Sequence, residues 1–449
     1  MNKFRQEFML RLLKILNAVL LTLPFAWCWF NYYAEQIASP YYERGNWLII
    51  ALYFVLYVVF GRVYGGFWIS LNRISESVYS QMLAVCMTSG IMYVVICLLD
   101  KSIANPMALV LAFVAQLILS ILWSFGAHIA YYIMFPATKT IVIYDEREGM
   151  EKLIRDYGFE KKFTVTKTLH VEQCLQNLDL LRNAETVFVS GIHSHERNII
   201  LKYCVGHGIM MYLVPRIGDV IMSGAQQMHM FHLPMLRVGR YNPSPWHTIA
   251  KRAFDIVSAG ALFIVISPIM LITALAIKSD GGPVFYKQRR LTQDGKIFDV
   301  LKFRSMRVDA EKDGVARLST GDKDDRITPV GRFIRKVRID ELPQLLNIIG
   351  GSMSVVGPRP ERPEIASQYE TEMPEFALRL QAKAGLTGYA QVYGKYNTTP
   401  YDKLQMDLMY ISNPSFWEDL RIIFATIKIL FVPESTEGVA EGQKTAMGK

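Results

Sequence analysis

The sequence predicts a membrane protein in three parts: an α-helical membrane region, a Rossmann-like α/β domain, and an α+β domain that begins with a re-entrant membrane helix. Four apolar runs in the first 135 residues are each long enough to cross a bilayer. Residues 136–240 alternate β-rich and helical patterns, which is typical of a parallel α/β unit. A fifth apolar run, residues 254–277, precedes a segment rich in cations, glycines and short β patterns.

Composition supports a membrane protein and argues against a nucleic-acid partner. Of 449 residues, 51% are hydrophobic, and the mean hydropathy is +0.19. The net charge of +9 would suit a polyanion. No zinc-finger or helix-turn-helix signature is present, however, and basic faces beside anionic lipid explain the excess. The five cysteines form no C-x-x-C pair, so we expect reduced, buried thiols.

The four apolar runs predict four transmembrane helices within residues 1–135. A signal peptide is the competing interpretation of the first run, but three further spans follow it. Cations precede the first run and follow the second, which places the N-terminus in the cytoplasm by the positive-inside rule. The chain then returns to the cytoplasm near Pro136, so a multi-pass membrane protein is expected. The predicted spans are residues 12–29, 47–64, 78–99 and 108–134.

Residues 136–240 read as a small parallel α/β domain, with strands at 140–144, 163–166, 186–190 and 210–214. The Gly-x-Gly-x-x-Gly fingerprint of dinucleotide sites is absent after the first strand, where Asp145-Glu146-Arg147 stands. A scaffold or regulatory module without a nucleotide is therefore favoured. His193, His195 and His207 are expected to be surface residues rather than metal ligands.

The fifth run, residues 254–277, contains Ser267-Pro268 near its centre. Proline removes a backbone donor and clashes with the preceding turn, so a sharp break is expected there. Many cations follow the run and disfavour translocation of that flank. We therefore expect a re-entrant helix that leaves residues 241–432 on the cytoplasmic face, with a kinked spanning helix as the alternative.

The chemistry is expected around Asp340-Glu341, which lie between Arg335, Arg338 and the later Arg359. Adjacent carboxylates among arginines suit a phosphate ester and a metal ion. Pro343 is tolerated only in the first turn of a helix, so Asp340 is expected at or near a helix N-terminus, where an acidic pair is often only a cap.

Further motifs surround this pair. Cations crowd two predicted strands before it, which suits a phosphorylated lipid or simply a membrane-facing patch. Gly385 to Val392 reads as a turn entering a strand, and two amphipathic helices follow, the first carrying Asp407. The polar tail, residues 433–449, is expected to be disordered.

Taken together, residues 251–431 closely resemble the bacterial sugar transferase family, the monotopic polyprenyl-phosphate glycosyl-1-phosphate transferases. The upstream helices and α/β domain resemble the long form of this family by layout. Thr292 and Ala384 depart from the family pattern, where glycine and proline are usual, without removing a charged group. The shared motifs are Lys251-Arg252 with Asp255, Ser267-Pro268, Gly282-Pro283-Val284-Phe285-Tyr286, Lys302-Phe303-Arg304-Ser305-Met306, Asp340-Glu341-Leu342-Pro343-Gln344, Gly357-Pro358-Arg359-Pro360 and Gly385-Leu386-Thr387-Gly388.

The resemblance implies transfer of a hexose-1-phosphate, from UDP-glucose or UDP-galactose, to undecaprenyl phosphate, with release of UMP and with Mg²⁺. This reaction would start exopolysaccharide or capsule repeat units. By the same resemblance Asp340 is the nucleophile, Glu341 holds the metal, and a homodimer is plausible. The implied substrate-site residues are Lys302, Arg304, Arg335, Arg359 and Asp407. Two other functions stay open: an inert membrane scaffold or regulator of polysaccharide assembly, and an inverting glycosyltransferase that releases UDP.

Overall fold

A computed structural model describes residues 3–41, 44–241, 243–279, 281–307, 326–394 and 398–430. By its internal contacts the chain divides into two compact units, Met1–Val214 and Pro215–Lys449, which are described separately. The three-part division made from the sequence stays a prediction, and the predicted disordered tail lies outside the described residues.

The first unit begins with four long helices, each built on one of the predicted apolar runs. α1 and α3 both pack against α2 and α4, so the helices form a bundle. All four are long and apolar enough to cross a membrane. Their bounds are Lys3–Cys28 for α1, Arg44–Val63 for α2, Ile74–Asp100 for α3 and Met107–Met134 for α4.

Polar side chains join the four helices inside this bundle. Asn17 of α1 accepts a hydrogen bond from Tyr57 of α2 at 2.7 Å and donates to Gln81 of α3 at 3.2 Å. Gln81 also accepts from Ser120 of α4 at 2.8 Å. All four side chains are buried. Because lipid supplies no partner for such groups, the network favours one arrangement of the helices.

A four-stranded parallel sheet completes the first unit, in the order β2-β1-β3-β4. Its strands confirm the four predicted from β-rich runs, with small differences at their ends. A buried apolar cluster that includes Ile143, Val187 and Ile200 packs the sheet against its helices. The bounds are Thr138–Tyr144 (β1), Met150–Asp156 (α5), Phe163–His170 (β2), Val171–Gln176 (α6), Thr186–Ser190 (β3), Ser194–Gly206 (α7) and Met210–Leu213 (β4).

The second unit begins with α8 (Ile217–Ser223) and an antiparallel hairpin of β5 (Gln226–Met230) and β6 (Leu233–Arg237). α9 follows as one helix, Pro245–Lys278, capped by Ser244, whose hydroxyl accepts from His247 N at 3.2 Å. It too is long and apolar enough to cross a membrane. Ile264 and Val265, in its middle, are 72% and 74% exposed.

The predicted break at Ser267-Pro268 does not interrupt the helical backbone, because α9 continues through Pro268 to Lys278. The missing N–H of Pro268 would leave the carbonyl of Ile264 without its donor. The Ser267 hydroxyl donates to that carbonyl at 2.8 Å instead, so the helix tolerates the proline. The re-entrant path of α9 stays a prediction.

The rest of the second unit is a compact α+β arrangement. The hairpin of β7 (Phe285–Leu291) and β8 (Ile297–Phe303) is antiparallel, whereas β9 (Ser354–Val356) pairs in parallel with β10 (Gly385–Thr387). Residues 389–393 form a helix rather than the strand expected after Gly388. The helices are Pro329–Lys336 (α10), Gln344–Gly350 (α11), Pro363–Glu372 (α12), Tyr389–Tyr393 (α13), Pro400–Ser412 (α14) and Phe416–Leu430 (α15).

Apolar clusters among the described residues hold this part together. One joins α8, β9, α12, α14 and α15, with Leu404 and Leu408 of α14 at its centre. A second packs Ala259 of α9 against β8 and α11 through Val300 and Ile348.

A further cluster packs Met270 and Ile277 of α9 against Phe303 and Ile334, with Ile339 and Leu342 partly buried against it. This further cluster places α9 beside the turn that carries the predicted acidic pair.

Candidate active site

Asp340 and Glu341 lie in a short 3-10 turn, Ile339–Glu341, between α10 and α11. Asp340 thus lies near a helix N-terminus, as predicted, although α11 itself begins only at Gln344, directly after Pro343. Leu342 and Pro343, which connect the turn to the helix, both keep right-handed helical backbone angles, with φ of −57° and −61°. The anion-attracting field at this pair must come mainly from neighbouring side chains.

Arg338, just before the turn, has a φ of +57°. A residue with a Cβ pays roughly 1 kcal/mol or more for this left-handed conformation. Such strain persists only where the surroundings fix it, and it often marks functional segments. The kink turns the chain sharply out of α10 and into the acidic pair.

Glu341 is held by two cations at a single oxygen. Its Oε1 lies 3.0 Å from Lys302 Nζ and 3.2 Å from Arg359 Nη2, and the glutamate side chain is 17% exposed. Burial alone would raise the pKa of Glu341, but Lys302 and Arg359 outweigh it and hold this pKa well below its usual range. Glu341 is therefore ionised at any pH near neutrality, and both of its ion pairs leave Oε2 for another ligand.

Asp340 differs from its neighbour in almost every respect. Its carboxylate makes no ion pair with any residue in the described parts of the chain. Burial and the charge of Glu341 raise the pKa of Asp340 to about 6, against the opposing effects of Lys302, Arg335 and Arg338. At pH 7 the carboxylate is thus mostly ionised, uncommitted and basic enough to act as a nucleophile.

Arg359 is presented by the rigid loop after β9. Gly357 N donates to Thr387 O and Gly385 N donates to Pro358 O, both at 2.9 Å, so the loop is bonded to β10 on each side of the turn. A Cβ on Gly385 would collide with the backbone of Gly357, so this approach requires glycine. The Arg359 side chain is 45% exposed while its Nη2 contacts Glu341.

Lys302 and Arg304 both lie at the end of β8 but face different partners. Lys302 reaches Glu341, as described. Arg304 is 8% exposed, and its guanidinium donates to the carbonyls of Pro283 at 2.8 Å and Ile277 at 3.3 Å. Arg304 therefore ties the hairpin to the end of α9 and supports the site from behind.

The two remaining predicted residues, Arg335 and Asp407, differ in their relation to the acidic pair. Arg335, in the last turn of α10, is one of the cations whose charge lowers the pKa of Asp340. Asp407 of α14 is only 1% exposed and lies 2.7 Å from Arg379 Nη2. Burial raises the pKa of Asp407 to about 6, although Arg379 opposes the shift. The structure thus brings Asp340, Glu341, Lys302 and Arg359 together, with Arg335 nearby, and leaves Asp407 in the interior.

Comparison with known proteins agrees with this geometry. The sequence model described as "Bacterial sugar transferase" matches residues 246–433, which include every side chain of the site. The UDP-glucose:undecaprenyl-phosphate glucose-1-phosphate transferase of Caulobacter vibrioides is 39% identical over 206 residues, which are 44% of this chain and 76% of that protein. The chain belongs to the bacterial sugar transferase family.

Other members of the bacterial sugar transferase family match over smaller shares of their length. The UDP-N-acetylgalactosamine-undecaprenyl-phosphate N-acetylgalactosaminephosphotransferase of Aeromonas hydrophila is 36% identical over 234 residues, 51% of this chain and 54% of that protein. A UDP-glucose:undecaprenyl-phosphate glucose-1-phosphate transferase of Escherichia coli K12 is 39% identical over 212 residues, 46% of this chain and 44% of that protein. The chain thus spans about half the length of these two relatives, and their names mention different sugars.

Three of the family's motif residues bond α9 to other elements of the second unit. Arg252 donates to the carbonyls of Ile348 and Ile349, at 2.6 and 2.7 Å, and so caps the end of α11. Asp255, 3% exposed, accepts from Val355 N at 3.0 Å. Lys251 pairs with Asp419 of α15 at 2.7 Å. The membrane helix is therefore bonded to the elements that follow Glu341 and precede Arg359.

Sequence reasoning missed three residues that support the transferase site. Arg290 and Arg379 donate to backbone carbonyls of the Arg359 loop, and Asn347 bonds α11 to β8. Arg379 lies in a 3-10 segment, Pro374–Gln381, with no motif to mark it. The sequence pattern could have indicated the role of Asn347, because a polar residue inside the apolar pattern of α11 requires buried hydrogen-bond partners.

In the described residues no group of three or more His, Cys, Asp or Glu side chains is arranged to hold a metal ion. The pair Asp340 and Glu341 nevertheless fits Mg²⁺, which proteins often bind through one or two carboxylates while substrate phosphates and water supply the other ligands. The free Oε2 of the permanently ionised Glu341 is the best placed ligand atom.

Proposed function

We propose that this protein transfers a hexose-1-phosphate from a UDP-sugar to undecaprenyl phosphate and releases UMP, the first step of exopolysaccharide or capsule repeat-unit synthesis. The observation that carries the proposal is the contrast within the acidic pair. Glu341 is clamped by Lys302 and Arg359, whereas Asp340 beside it is uncommitted, with a pKa near 6. Glu341 is thus suited to hold the surrounding cations in place, and Asp340 is suited to attack a phosphorus atom.

In the first half-reaction an Asp340 carboxylate oxygen attacks the sugar-linked phosphorus of the UDP-sugar. The bond from that phosphorus to the bridging oxygen breaks, and UMP leaves with the electron pair. Asp340 then carries the sugar phosphate as an acyl phosphate. Arg359 and Arg335 are the cations that bind the phosphoryl oxygens, and Lys302 holds Glu341 in place.

In the second half-reaction an oxygen of undecaprenyl phosphate attacks the same phosphorus. The bond to Asp340 breaks, which restores the carboxylate and yields the sugar diphosphate lipid. Both substrates use the same cationic groups in turn, so a single site serves both steps. Mg²⁺ bound at Glu341 Oε2 would neutralise charge on the diphosphate as UMP departs.

The membrane placement is part of the proposal. α9 is bonded to the site through Arg252 and Asp255, so a site beside this helix lies near the bilayer surface, where a water-soluble nucleotide sugar can meet a lipid phosphate. The crowded cations after α9 favour a re-entrant helix and a site on the cytoplasmic face of the inner membrane. A homodimer is proposed on the resemblance alone.

The sugar is proposed to be glucose or galactose. The names of the relatives include glucose and N-acetylgalactosamine, so membership of the family leaves the hexose open. Discrimination between such hexoses depends on a few hydroxyl contacts.

The test is product identity. Purified protein is given Mg²⁺, undecaprenyl phosphate and a panel of UDP-sugars, and the nucleotide product is identified. We expect UMP, and a loss of roughly 10⁴-fold or more in Asp340→Asn, as is usual when a nucleophile is removed. Release of UDP would support an inverting glycosyltransferase instead. No nucleotide release from any UDP-sugar would support an inert scaffold.

A further inference from the structure

The loop that carries Arg359 accepts hydrogen bonds at the carbonyls of three successive residues. Arg379 Nη2 donates to the carbonyl of Arg359 at 2.8 Å. Arg290 Nη1 donates to the carbonyl of Pro360 at 3.0 Å, and Leu291 N donates to the carbonyl of Glu361 at 2.9 Å. A segment without helix or strand hydrogen bonds is thus held by groups outside it, which lets it present Arg359 in one orientation.

Arg379 is the most deeply buried of these groups. Its side chain is 4% exposed, and the guanidinium lies 4.8 Å from the centre of the Phe376 ring. Its charge faces Asp407 at 2.7 Å and, more distantly, Glu361 at 4.0 Å. A buried guanidinium is tolerated only when it is paired, so Asp407 is the group that allows Arg379 to remain behind the loop.

Asp407 itself has no route to a substrate in this arrangement. It is 1% exposed, and its nearest charged partner, Arg379, stands between it and the Arg359 carbonyl. The order of contacts runs from Asp407 to Arg379, then to the backbone of Arg359, and through the Arg359 side chain to Glu341. The proposed reaction takes place beside Glu341, at one end of this series of contacts, and Asp407 lies at the other end.

We propose that Arg379 and Asp407 are a positioning pair that sets the location of Arg359, and that Asp407 acts through Arg379 rather than by binding substrate. The proposal rests on the proposed function only in taking Arg359 as a phosphate ligand. It assigns to Arg379 a role that no motif indicates, and it gives Asp407 a role different from the substrate contact expected from the sequence.

The decisive test is a double-mutant cycle between Arg379→Gln and Arg359→Ala. If Arg379 acts only through Arg359, its loss matters only while the Arg359 side chain is present. We expect Arg379→Gln to weaken UDP binding by about tenfold in the wild-type background, and by less than about twofold in the Arg359→Ala background. Equal losses in both backgrounds would overturn the proposal, because a general structural defect acts in each.

Binding of UDP, followed by calorimetry, is the primary readout, and kcat and KM for UMP release are the second. If wild type binds UDP but releases no UMP, and the variants show the expected coupling, the proposed function fails while the positioning pair stands. If UMP is released and the coupling is absent, the reverse holds.

A second variant guards against misfolding. Arg379→Met with Asp407→Leu removes both charges, and such apolar replacements of buried pairs are often neutral for stability. We expect this double variant to fold but to bind UDP as weakly as Arg379→Gln, because the Arg359 carbonyl has lost its donor. Wild-type affinity in this variant would overturn the proposal.

A matched control is available on α15. Asp419 is 2% exposed and pairs with Lys251 at 2.7 Å, so it resembles Asp407 in burial and pairing. Its partner Lys251 differs from Arg379, which donates to the Arg359 carbonyl. We expect Asp419→Asn and Asp407→Asn to lower thermal stability to a similar extent. Only the effect of Asp407→Asn on UDP binding should disappear when Arg359 is replaced by alanine. The same background dependence in both variants would contradict the assignment of Asp407 to this pair.

Discussion

Asn347 is expected to set the distance between the acidic pair and Lys302. Its Oδ1 accepts from Leu301 N at 2.9 Å, and its Nδ2 donates to Asp299 O at 2.8 Å. A single side chain thus satisfies one donor and one acceptor along the edge of β8, as a neighbouring strand would. Because Lys302 follows Leu301 directly, this contact positions the lysine that holds Glu341.

The perturbation is Asn347→Leu, which keeps the size of the side chain and removes these two hydrogen bonds and a longer one, 3.4 Å, to the Ser352 hydroxyl. An unpaired Leu301 N–H costs about 1–3 kcal/mol, and the Asp299 carbonyl costs less because water can reach an exposed residue. Burial of the leucine offsets part of this, which leaves a net loss of about 2 kcal/mol in the free energy of unfolding. For a unit of this size the melting temperature should fall by roughly 4–8 °C.

The assay is thermal unfolding in detergent, with kcat for UMP release measured alongside. Asn347→Asp keeps the acceptor for Leu301 N and should cost less than the leucine variant. Leu346→Gln, on the exposed side of the same helix, is the control and should change the melting temperature by no more than a degree or two. An Asn347→Leu protein that melts and turns over like wild type would refute the reasoning.

Two further predictions concern the acidic pair and the kink before it. Because the pKa of Asp340 is raised to about 6 and the ionised form is the nucleophile, kcat/KM should fall about tenfold for each pH unit below 6. Lys302→Met should move this acid limb to higher pH, since the lysine charge favours the carboxylate; a limb that moves to lower pH would contradict the assignment. Arg338→Gly should melt several degrees higher than Arg338→Val, because both variants lose the arginine side chain and only glycine adopts a φ of +57° without strain. Equal melting temperatures for the two variants would show that the kink is unstrained.

The sequence was sufficient for features that depend on local pattern. The apolar runs located α1 to α4, and alternating β-rich segments located the parallel sheet, because hydrophobic periodicity is a local property. The sequence also placed Asp340 and Glu341 among arginines, and the structure brings Lys302 and Arg359 to Glu341. These predictions needed no knowledge of which distant residues meet.

The remaining errors and omissions came from contacts between distant residues. The sequence did not show that Ser267 would take over the carbonyl freed by Pro268, so a break was expected where the helix continues. The sequence also did not show that Asp407 would be buried against Arg379, so its predicted contact with substrate stays a prediction. Arg252 and the end of α11 are almost a hundred residues apart, and only the folded chain brings them together.

The central claim is that Asp340 becomes covalently bound to the sugar phosphate. The most direct measurement is the mass of the peptide that contains Asp340, after incubation with a UDP-sugar and Mg²⁺ but without undecaprenyl phosphate. We predict that one hexose phosphate is added to this peptide, with one UMP released per enzyme, and that Asp340→Asn abolishes both. UMP release that requires the lipid acceptor and leaves the peptide unmodified would contradict the account.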